Sequence, residues 1–343
     1  MSAKKKGEAE RALRRAMADG DRGLVFDVGA LTVGEYLDRW LADSVRDTVR
    51  QRTWERYEQI CRVHIVPALG RVKLRALSPT HVRGLYRAKL DADLSPRTVQ
   101  YVHTTLHEAL KDAVADGLVP RNVTEGIKAP RPKKKEIRPL DPVQTRTLLD
   151  AARRDRFEVL FVFAIHCGLR EGELLGLRWE DVDLEAGTLS IRRTLSVTKD
   201  GLIFEPPKNG KGRSVPLTGP ATKALRAHLS RQLGEIELLG DDYRDQGLVF
   251  PGEKGQPMRQ YTLTGGHFKR LLKRASLPHM RFHDLRHTCA TLLLSRGVHP
   301  KFVQELLGRA TISITLDTYS HVLPGMGDHA ARAMENVLSG PMD

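Results

Sequence analysis

A proline-rich, basic segment, APRPKKKEIRPL at residues 129–140, divides this 343-residue chain into two parts. Proline fixes φ and lacks a backbone donor, and neighbouring like charges repel, so such a stretch is typical of a semi-rigid linker. Because about 100–200 residues make one domain, the remaining length predicts two folding units. We place them at 31–128 and at 141–325.

Helix-start signals recur in both units. Thr32 with Glu35 forms a capping-box pattern, and Ser78-Pro79, Ser95-Pro96 and Asp141-Pro142 each place a capping side chain before a proline. Apolar residues at helical spacing follow each signal, and a further helix is predicted to begin at Thr53. The first unit is therefore predicted to be all-helical. The second unit has helical patterns at 142–153, 157–167, 219–233, 260–275, 283–296 and 300–307.

Strand patterns lie only in the middle of the second unit. Alternating residues at 188–196 predict one strand, and 201–205 and 213–217 predict two more. Asn209-Gly210 is typical of a tight turn, so the last two strands are predicted to form a hairpin with Lys208 at its turn. The predicted fold class is mainly α, with one small antiparallel sheet.

The charge balance indicates a polyanionic partner. The chain has 56 Lys and Arg against 42 Asp and Glu, a net charge of +14 and a pI near 9.8, which attracts nucleic acid. Cys61, Cys167 and Cys289 form no CxxC pair and lie among apolar residues, so we expect buried free thiols in a reducing cytoplasm. We expect neither a signal peptide nor a membrane span.

Two arginines stand in apolar helical contexts, where an unpaired charge is costly. They are Arg170, in HCGLREGELLGLRW, and Arg286, in FHDLRHTCATLLL. A guanidinium fork matches the non-bridging oxygens of a phosphodiester, and it stays charged at any relevant pH. Either arginine alone is more often a surface ion-pair partner, so the interpretation depends on the residues that accompany them.

Three further residues could perform the chemistry on such a phosphate. His283 lies three residues before Arg286, on the same helix face, and an imidazole exchanges protons near neutral pH. Lys208 could protonate a leaving alkoxide from its turn, although most turn lysines have no such role. Tyr319 is a candidate nucleophile that needs a base and a positive pocket.

A zinc site is the competing interpretation of the same helix. His283 and His287 have the i, i+4 spacing used for zinc. The intervening residues are Asp-Leu-Arg, so the glutamate base of the usual metalloprotease pattern is missing. The cationic Arg286 would also repel the ion, so we favour a site without metal.

In this order along the chain, the residues resemble the tyrosine recombinase (phage integrase) family. The resemblance is carried by GLREGELLGLRW, HDLRHTCATLLL and LLGRATISITLDTYSH, and it extends over almost the whole chain. It is greatest to integrases of bacteriophages or integrative elements. It implies a SAM-like core-binding domain at 31–128 and a catalytic domain at 141–325 that together form a clamp around DNA. A tail at 326–343 would dock on a neighbouring subunit, and 1–30 would be a remnant of an arm-binding domain or a basic linker helix.

The same resemblance assigns roles. Arg170 and Arg286 would hold the scissile phosphate, and Tyr319 would attack it to form a 3′-phosphotyrosine. Lys208 would be the general acid for the leaving oxygen, and His283 would act as general acid or base. No metal, ATP or other cofactor is implied. The implied partners are double-stranded DNA attachment sites and a homotetramer that passes through a four-way junction, with room for a host bending protein and a directionality factor. The expected location is the bacterial cytoplasm, at the nucleoid.

Two positions complete this picture. Glu173 matches a supporting acidic position of the family, although an ordinary glutamate at a helix start remains the alternative. Arg309 stands where the family usually has histidine or tryptophan, and we expect it to donate to the phosphate in their place. Because of this departure, a catalytically weak DNA-binding regulator remains an alternative function for the chain. The residues also leave open a chromosome-dimer resolvase of the same family and a type IB topoisomerase.

Overall fold

The chain separates into two units, Met1–Lys134 and Lys135–Asp343. The computed structural model describes residues 29–132, 138–208, 210–313, 316 and 334–335. The predictions for 1–28 and for Tyr319, and nearly all of those for the tail at 326–343, lie outside these residues. The finer division into five segments and the clamp around DNA stay predictions.

The N-terminal unit is all-helical over its described residues, as predicted. Its helices are α1 (Val33–Arg39, continued by a π-helical turn at Trp40–Val45), α2 (Gln51–Ile60, continued by a π-helical turn at Cys61–Ile65), α3 (Val66–Leu69), a 3-10 turn (Leu74–Ala76), α4 (Pro79–Asp91) and α5 (Pro96–Ala115).

Side-chain caps begin three of these helices at the predicted places. Thr32 Oγ1 accepts from the Glu35 N–H at 3.3 Å, and Glu35 accepts from the Thr32 N–H at 2.9 Å. Ser78 forms a reciprocal cap of the same kind with His81 at α4, and the Ser95 hydroxyl accepts from the Thr98 N–H at α5. The helix predicted to begin at Thr53 instead begins at Gln51, where no side chain caps it and the sequence therefore carries no start signal.

The core of this unit is formed by the apolar faces of its helices. Most of its aromatic side chains lie in that core or pack against it, namely Tyr36, Trp40, Trp54, Tyr57 and Tyr86, whereas Tyr101 is exposed. The Tyr36 hydroxyl donates to the Ala109 carbonyl at 2.5 Å, and Trp40 Nε1 donates to Asp112 at 2.7 Å. These bonds fasten α1 to α5 and show that Tyr36 and Trp40 are structural.

The C-terminal unit is mostly helical, as predicted, with small antiparallel sheets. Its elements are α6 (Pro142–Ala152), α7 (Glu158–His166), α8 (Glu171–Leu175), a 3-10 turn (Trp179–Asp181), β1 (Val182–Asp183), β2 (Thr188–Ile191), β3 (Thr194–Thr198), β4 (Gly201–Glu205), β5 (Arg213–Pro216), α9 (Gly219–Leu239), a 3-10 turn (Gly240–Asp242), a π-helical turn (Thr262–Phe268), α10 (Lys269–Arg274), α11 (Asp284–Ser295) and α12 (Pro300–Leu307).

The strands form two sheets, so the prediction of one sheet was wrong. One sheet has the order β1-β2-β5 and the other is the β3-β4 hairpin, all antiparallel. The segment 188–196 is not one strand, because Arg192 and Arg193 interrupt it. Arg193 Nη1 turns toward the buried Asp181 at 3.0 Å, which separates β2 from β3.

The hairpin predicted around Lys208 was also wrong. β4 pairs with β3, and β5 pairs with β2, so residues 206–212 connect two different sheets. Pro206-Pro207 explains the end of β4, since proline has no N–H to donate to a ladder. A tight turn does form at Gly210, as the sequence predicted, because the Gly210 N–H donates to the Pro207 carbonyl at 2.8 Å.

Helix α7 runs through the core of this unit and is buried on most of its surface. Helix α8 follows it and packs directly on the backbone of β3. A Cβ on Gly172 would lie 2.4 Å from Thr194 Oγ1 and 2.7 Å from the Leu195 carbonyl, so the helix can approach this closely only without a side chain there. This contact fixes the start of α8 relative to the sheets.

The three cysteines are free and buried, as predicted. Burial raises the pKa of each thiol to about 12. In the part of the chain that the structure describes, no helix combines the length and apolar character needed to cross a membrane.

Candidate active site

The last carbonyl groups of α12 are the point where the candidate residues meet. The Leu306 carbonyl accepts from Arg213 Nε at 2.9 Å, and the Gly308 carbonyl accepts from Arg170 Nη2 at 3.1 Å. Between them, the Leu307 carbonyl accepts from Arg286 Nη2. The final carbonyls of a helix lack partners within the helix and carry partial negative charge, so cations stabilise them. Three consecutive carbonyls thus bring three arginines from separate elements together.

Glu173 joins two of these arginines. Its Oε1 accepts from Arg170 Nη1 at 2.7 Å, while Arg213 Nη1 and Nη2 reach its two oxygens at 3.1 and 2.7 Å. Its side chain is 1% exposed. Burial alone would raise the pKa of this carboxyl, but hydrogen bonds and charge from Arg213, with the charge of Arg170, lower it to about 2. Glu173 is therefore an ionised bridge rather than an ordinary glutamate at a helix start.

Arg286 lies deepest, with 3% of its surface exposed. Its guanidinium donates to the Gly168 carbonyl at 2.7 Å and to the Leu307 carbonyl. Burial and the nearby charge of Arg170 lower its pKa to about 9, which leaves it charged at neutral pH. Within the described residues no carboxylate pairs with it. Its hydrogen bonds to described residues go to neutral carbonyls alone, which favours an arriving anion, and a guanidinium with five N–H groups keeps donors for one.

His283 and His287 stand beside the arginines at the start of α11. Their rings meet edge to face with centroids 5.4 Å apart. Loss of hydration and the charge of Arg286 lower the pKa of His283, although its side chain still reaches solvent. Burial and the neighbouring His283 lower the pKa of His287 to about 4. Both rings are therefore mainly neutral near pH 7, the state in which an imidazole can accept a proton.

Arg309 belongs to the same cluster. Its N–H donates to the Gln304 carbonyl at 3.0 Å, and its carbonyl accepts from Gln304 Nε2 at 2.6 Å, which fixes the chain just after α12. Its charge contributes to the lowered pKa values of Arg286 and His287, so its guanidinium lies near both. Its side chain is half-buried.

Two glycines make this arrangement possible. Gly168 and Gly308 both have φ of +57°, a left-handed conformation in which other residues are strained. A Cβ on Gly168 would lie 2.6 Å from the Leu307 side chain, and one on Gly308 would lie 2.9 Å from Arg213 Nη1. Glycine therefore lets the turn before Arg170 lie against the Leu307 side chain and lets the end of α12 lie against Arg213.

The structure thus brings together Arg170, Arg286, Glu173, His283 and Arg309, and it adds Arg213, which sequence reasoning missed. Lys208 is exposed and forms no hydrogen bond or ion pair with any described residue. Tyr319 lies outside the described residues. The available signal for Arg213 was the alternation of β5, which puts Arg213 on the same strand face as the buried Val215, where a charge needs a partner.

Among the described residues, the zinc alternative finds no third ligand beside the two histidines. In the described ranges, no group of three or more His, Cys, Asp or Glu side chains is arranged to hold a metal ion. The two histidines also share their surroundings with Arg286 and Arg309, whose charges oppose a cation.

Sequence comparisons place these features among known proteins. Residues 138–325 match the family described as the phage integrase family, and 32–90 match the N-terminal SAM-like domain of phage integrases. A tyrosine recombinase XerC-like protein of Caldanaerobacter subterraneus subsp. tengcongensis is 31% identical, covering 98% of this chain and 90% of the relative. An integrase of Streptomyces ambofaciens is 29% identical, covering 99% and 89%.

Solved structures share the fold. The integrase of transposon Tn1549 in complex with transposon right end DNA superposes with a TM-score of 0.76 at 22% identity, over 90% of this chain and 100% of that one. A lambda integrase tetramer bound to a Holliday junction gives a TM-score of 0.63 at 20% identity, over 84% and 78%.

Proposed function

This chain belongs to the phage integrase family of tyrosine recombinases, and we propose that it cuts and rejoins DNA at specific sites through a covalent link to Tyr319. The observation that supports this most is the group of arginines gathered at the end of α12, just before the segment that carries Tyr319. Such a group suits a phosphodiester, whose negative charge grows as a fifth oxygen approaches phosphorus.

In the proposed reaction, Arg170 and Arg286 hold the non-bridging oxygens of the scissile phosphate. The phenol oxygen of Tyr319 attacks phosphorus, and the bond from phosphorus to the 5′ oxygen breaks. His283, neutral near pH 7, accepts the phenol proton. Lys208 gives a proton to the departing 5′ oxygen from the connection between the two sheets. The 3′-phosphotyrosine keeps the bond energy, so rejoining needs neither ATP nor another cofactor.

The proposed substrate is double-stranded DNA, in keeping with the net charge of +14. Exchange between two sites needs four strand cleavages, so we propose a homotetramer with the tail at 326–343 docked between subunits. A lambda integrase forms a tetramer on a Holliday junction, which supports this assembly. Relatives named integrases favour integration and excision of a mobile element over a resolvase or a regulator. A host bending protein and a directionality factor are proposed accessory partners.

Covalent trapping tests this function. We expect the wild-type chain, mixed with nicked DNA from the source organism, to give SDS-resistant adducts at one recurring sequence. Tyr319→Phe should give none, because it lacks the attacking oxygen, yet should bind the same DNA with unchanged affinity. Sequencing the recovered fragments identifies the attachment site. Tight, salt-sensitive binding without any adduct from the wild-type chain would contradict the proposal and favour a DNA-binding regulator.

Arg309 provides a second test of the site. We expect Arg309→Ala to slow single-turnover cleavage at least about tenfold, on the order of 1.4 kcal/mol, because one charged hydrogen bond to the phosphate is lost. Arg296→Ala, an exposed arginine of the same unit, is the control and should leave the rate unchanged. An unchanged rate in Arg309→Ala at saturating DNA would remove Arg309 from the catalytic residues.

A further inference from the structure

We propose that Arg213 is a positioning residue for this site, which holds Glu173 and the end of α12 so that the other arginines converge on one phosphate. This inference rests on the proposed function. Arg213 follows Lys208 by five residues, but the sequence patterns assigned it no role. Its case comes from what its guanidinium contacts.

All three nitrogens of the Arg213 guanidinium are engaged. Nε donates to the Leu306 carbonyl at 2.9 Å, and Nη1 and Nη2 contact the two oxygens of Glu173 at 3.1 and 2.7 Å. Gly308 lies against the same group, where a Cβ would come within 2.9 Å of Nη1. One planar side chain on β5 therefore joins α8 to the last turn of α12, a geometry that a lysine ammonium cannot reproduce.

The partners of Arg213 distinguish it from a phosphate ligand. Its N–H groups already face a carboxylate and a carbonyl, whereas Arg286 has only neutral acceptors among the described residues. Arg213 therefore acts through its neighbours.

Its loss would act at two places. Glu173 would keep Arg170 as its partner, and its full charge would draw that guanidinium away from the phosphate. The Leu306 carbonyl would lose its donor, which loosens the turn that sets the position of Arg309. Both effects weaken transition-state binding without removing any group that touches DNA.

The test compares Arg213→Gln and Arg213→Lys with Arg156→Gln in the full chain. Arg156 is a matched control, because it too bonds one carboxylate, Glu235 at 2.8 Å, and one carbonyl, Gly252 at 3.2 Å, and it has no contact with the cluster.

Cleavage is measured in single turnover on nicked attachment-site DNA, well below each variant's melting temperature. DNA affinity is measured in parallel. A second substrate carries sulfur in place of the 5′ oxygen at the cut, a leaving group that needs no general acid.

We expect Arg213→Gln to cleave at least tenfold more slowly than wild type, with DNA affinity within threefold. The cleavage rate of Arg213→Lys should lie between those of Arg213→Gln and wild type. Arg156→Gln should cleave at the wild-type rate. The sulfur substrate should not restore the rate of Arg213→Gln, because the defect lies in the hold on the phosphate. A wild-type rate in Arg213→Gln, with only a lower melting temperature, would show a purely structural role and overturn the proposal.

Two further results would also overturn it. Restoration of Arg213→Gln by sulfur would place its effect on the general acid, through the connection that carries Lys208. A tenfold loss in Arg156→Gln would show that any lost ion pair of this kind slows cleavage. If the wild-type chain itself forms no adduct, the proposed function fails and the positioning role fails with it. If the wild type and Arg213→Gln are both active at the same rate, only the positioning role fails.

Discussion

Replacing Glu173 with alanine is expected to destabilise the C-terminal unit by about 3–5 kcal/mol, the usual effect of removing one partner from a buried ionic group. The variant leaves Arg170 and Arg213 facing each other across an empty site without a carboxylate. Urea unfolding followed by tryptophan fluorescence reports the change through Trp179, while Trp40 and Trp54 report the N-terminal unit. The two units are to be fitted as separate transitions.

Glu185→Ala is the matched control, because its ion pair with Arg226 is exposed and such pairs contribute at most about 1 kcal/mol. The effect of Glu173→Ala should also depend on pH. The folded-state pKa of Glu173 is lowered to about 2 from an ordinary 4.5, so its stabilisation is complete above pH 4.5 and declines as pH falls toward 2. A loss below about 1 kcal/mol at pH 7 would contradict the bridging role of Glu173.

Replacing Arg286 with lysine is expected to slow DNA cleavage at least about 100-fold, comparable to removing one preorganised donor from a site of developing charge. Arg286 reaches the carbonyls of Gly168 and Leu307 with two nitrogens and still keeps donors for the phosphate. A single ammonium on a flexible stem cannot satisfy both carbonyls and hold a phosphate in register. Single-turnover adduct formation on nicked attachment-site DNA measures the effect.

DNA affinity of Arg286→Lys should stay within a few-fold of wild type, because many phosphate contacts share the binding energy. Arg274→Lys is the control, since its ion pair with Asp155 is half exposed and lies outside the cluster. A cleavage loss of less than about threefold in Arg286→Lys would mean that a point charge suffices there.

The helices could be predicted because their signals are local. Thr32, Ser78, Ser95 and Asp141 each cap a backbone N–H three residues later, so a short stretch of sequence contains the whole interaction. Gln51 begins α2 without such a cap, and the prediction there missed by two residues. Strand pairing is not local, which is why 201–205 and 213–217 were assigned to one hairpin although each pairs with a different earlier strand.

The candidate site divides in the same way. Arg170, His283 and Arg286 lie in recognisable local motifs, and the structure gathers them with Arg309. The part that Glu173 plays depends on Arg213, 40 residues further along the chain, and no local pattern links the two. Lys208 and Tyr319 keep their predicted roles as proposals, since the first has no described partner and the second lies outside the described residues.

The arginines that donate to the last carbonyls of α12 also affect the protein before it binds DNA. Among the described residues, the helix end offers about half a unit of negative charge, and Glu173 supplies one more, against the three charges of Arg170, Arg213 and Arg286. The helix end thus serves as an internal counter-ion that holds the guanidinium groups in place. It neutralises only part of their positive charge. The phosphodiester of bound DNA offsets the excess positive charge of these arginines. A chain that has not yet bound its DNA site carries this excess.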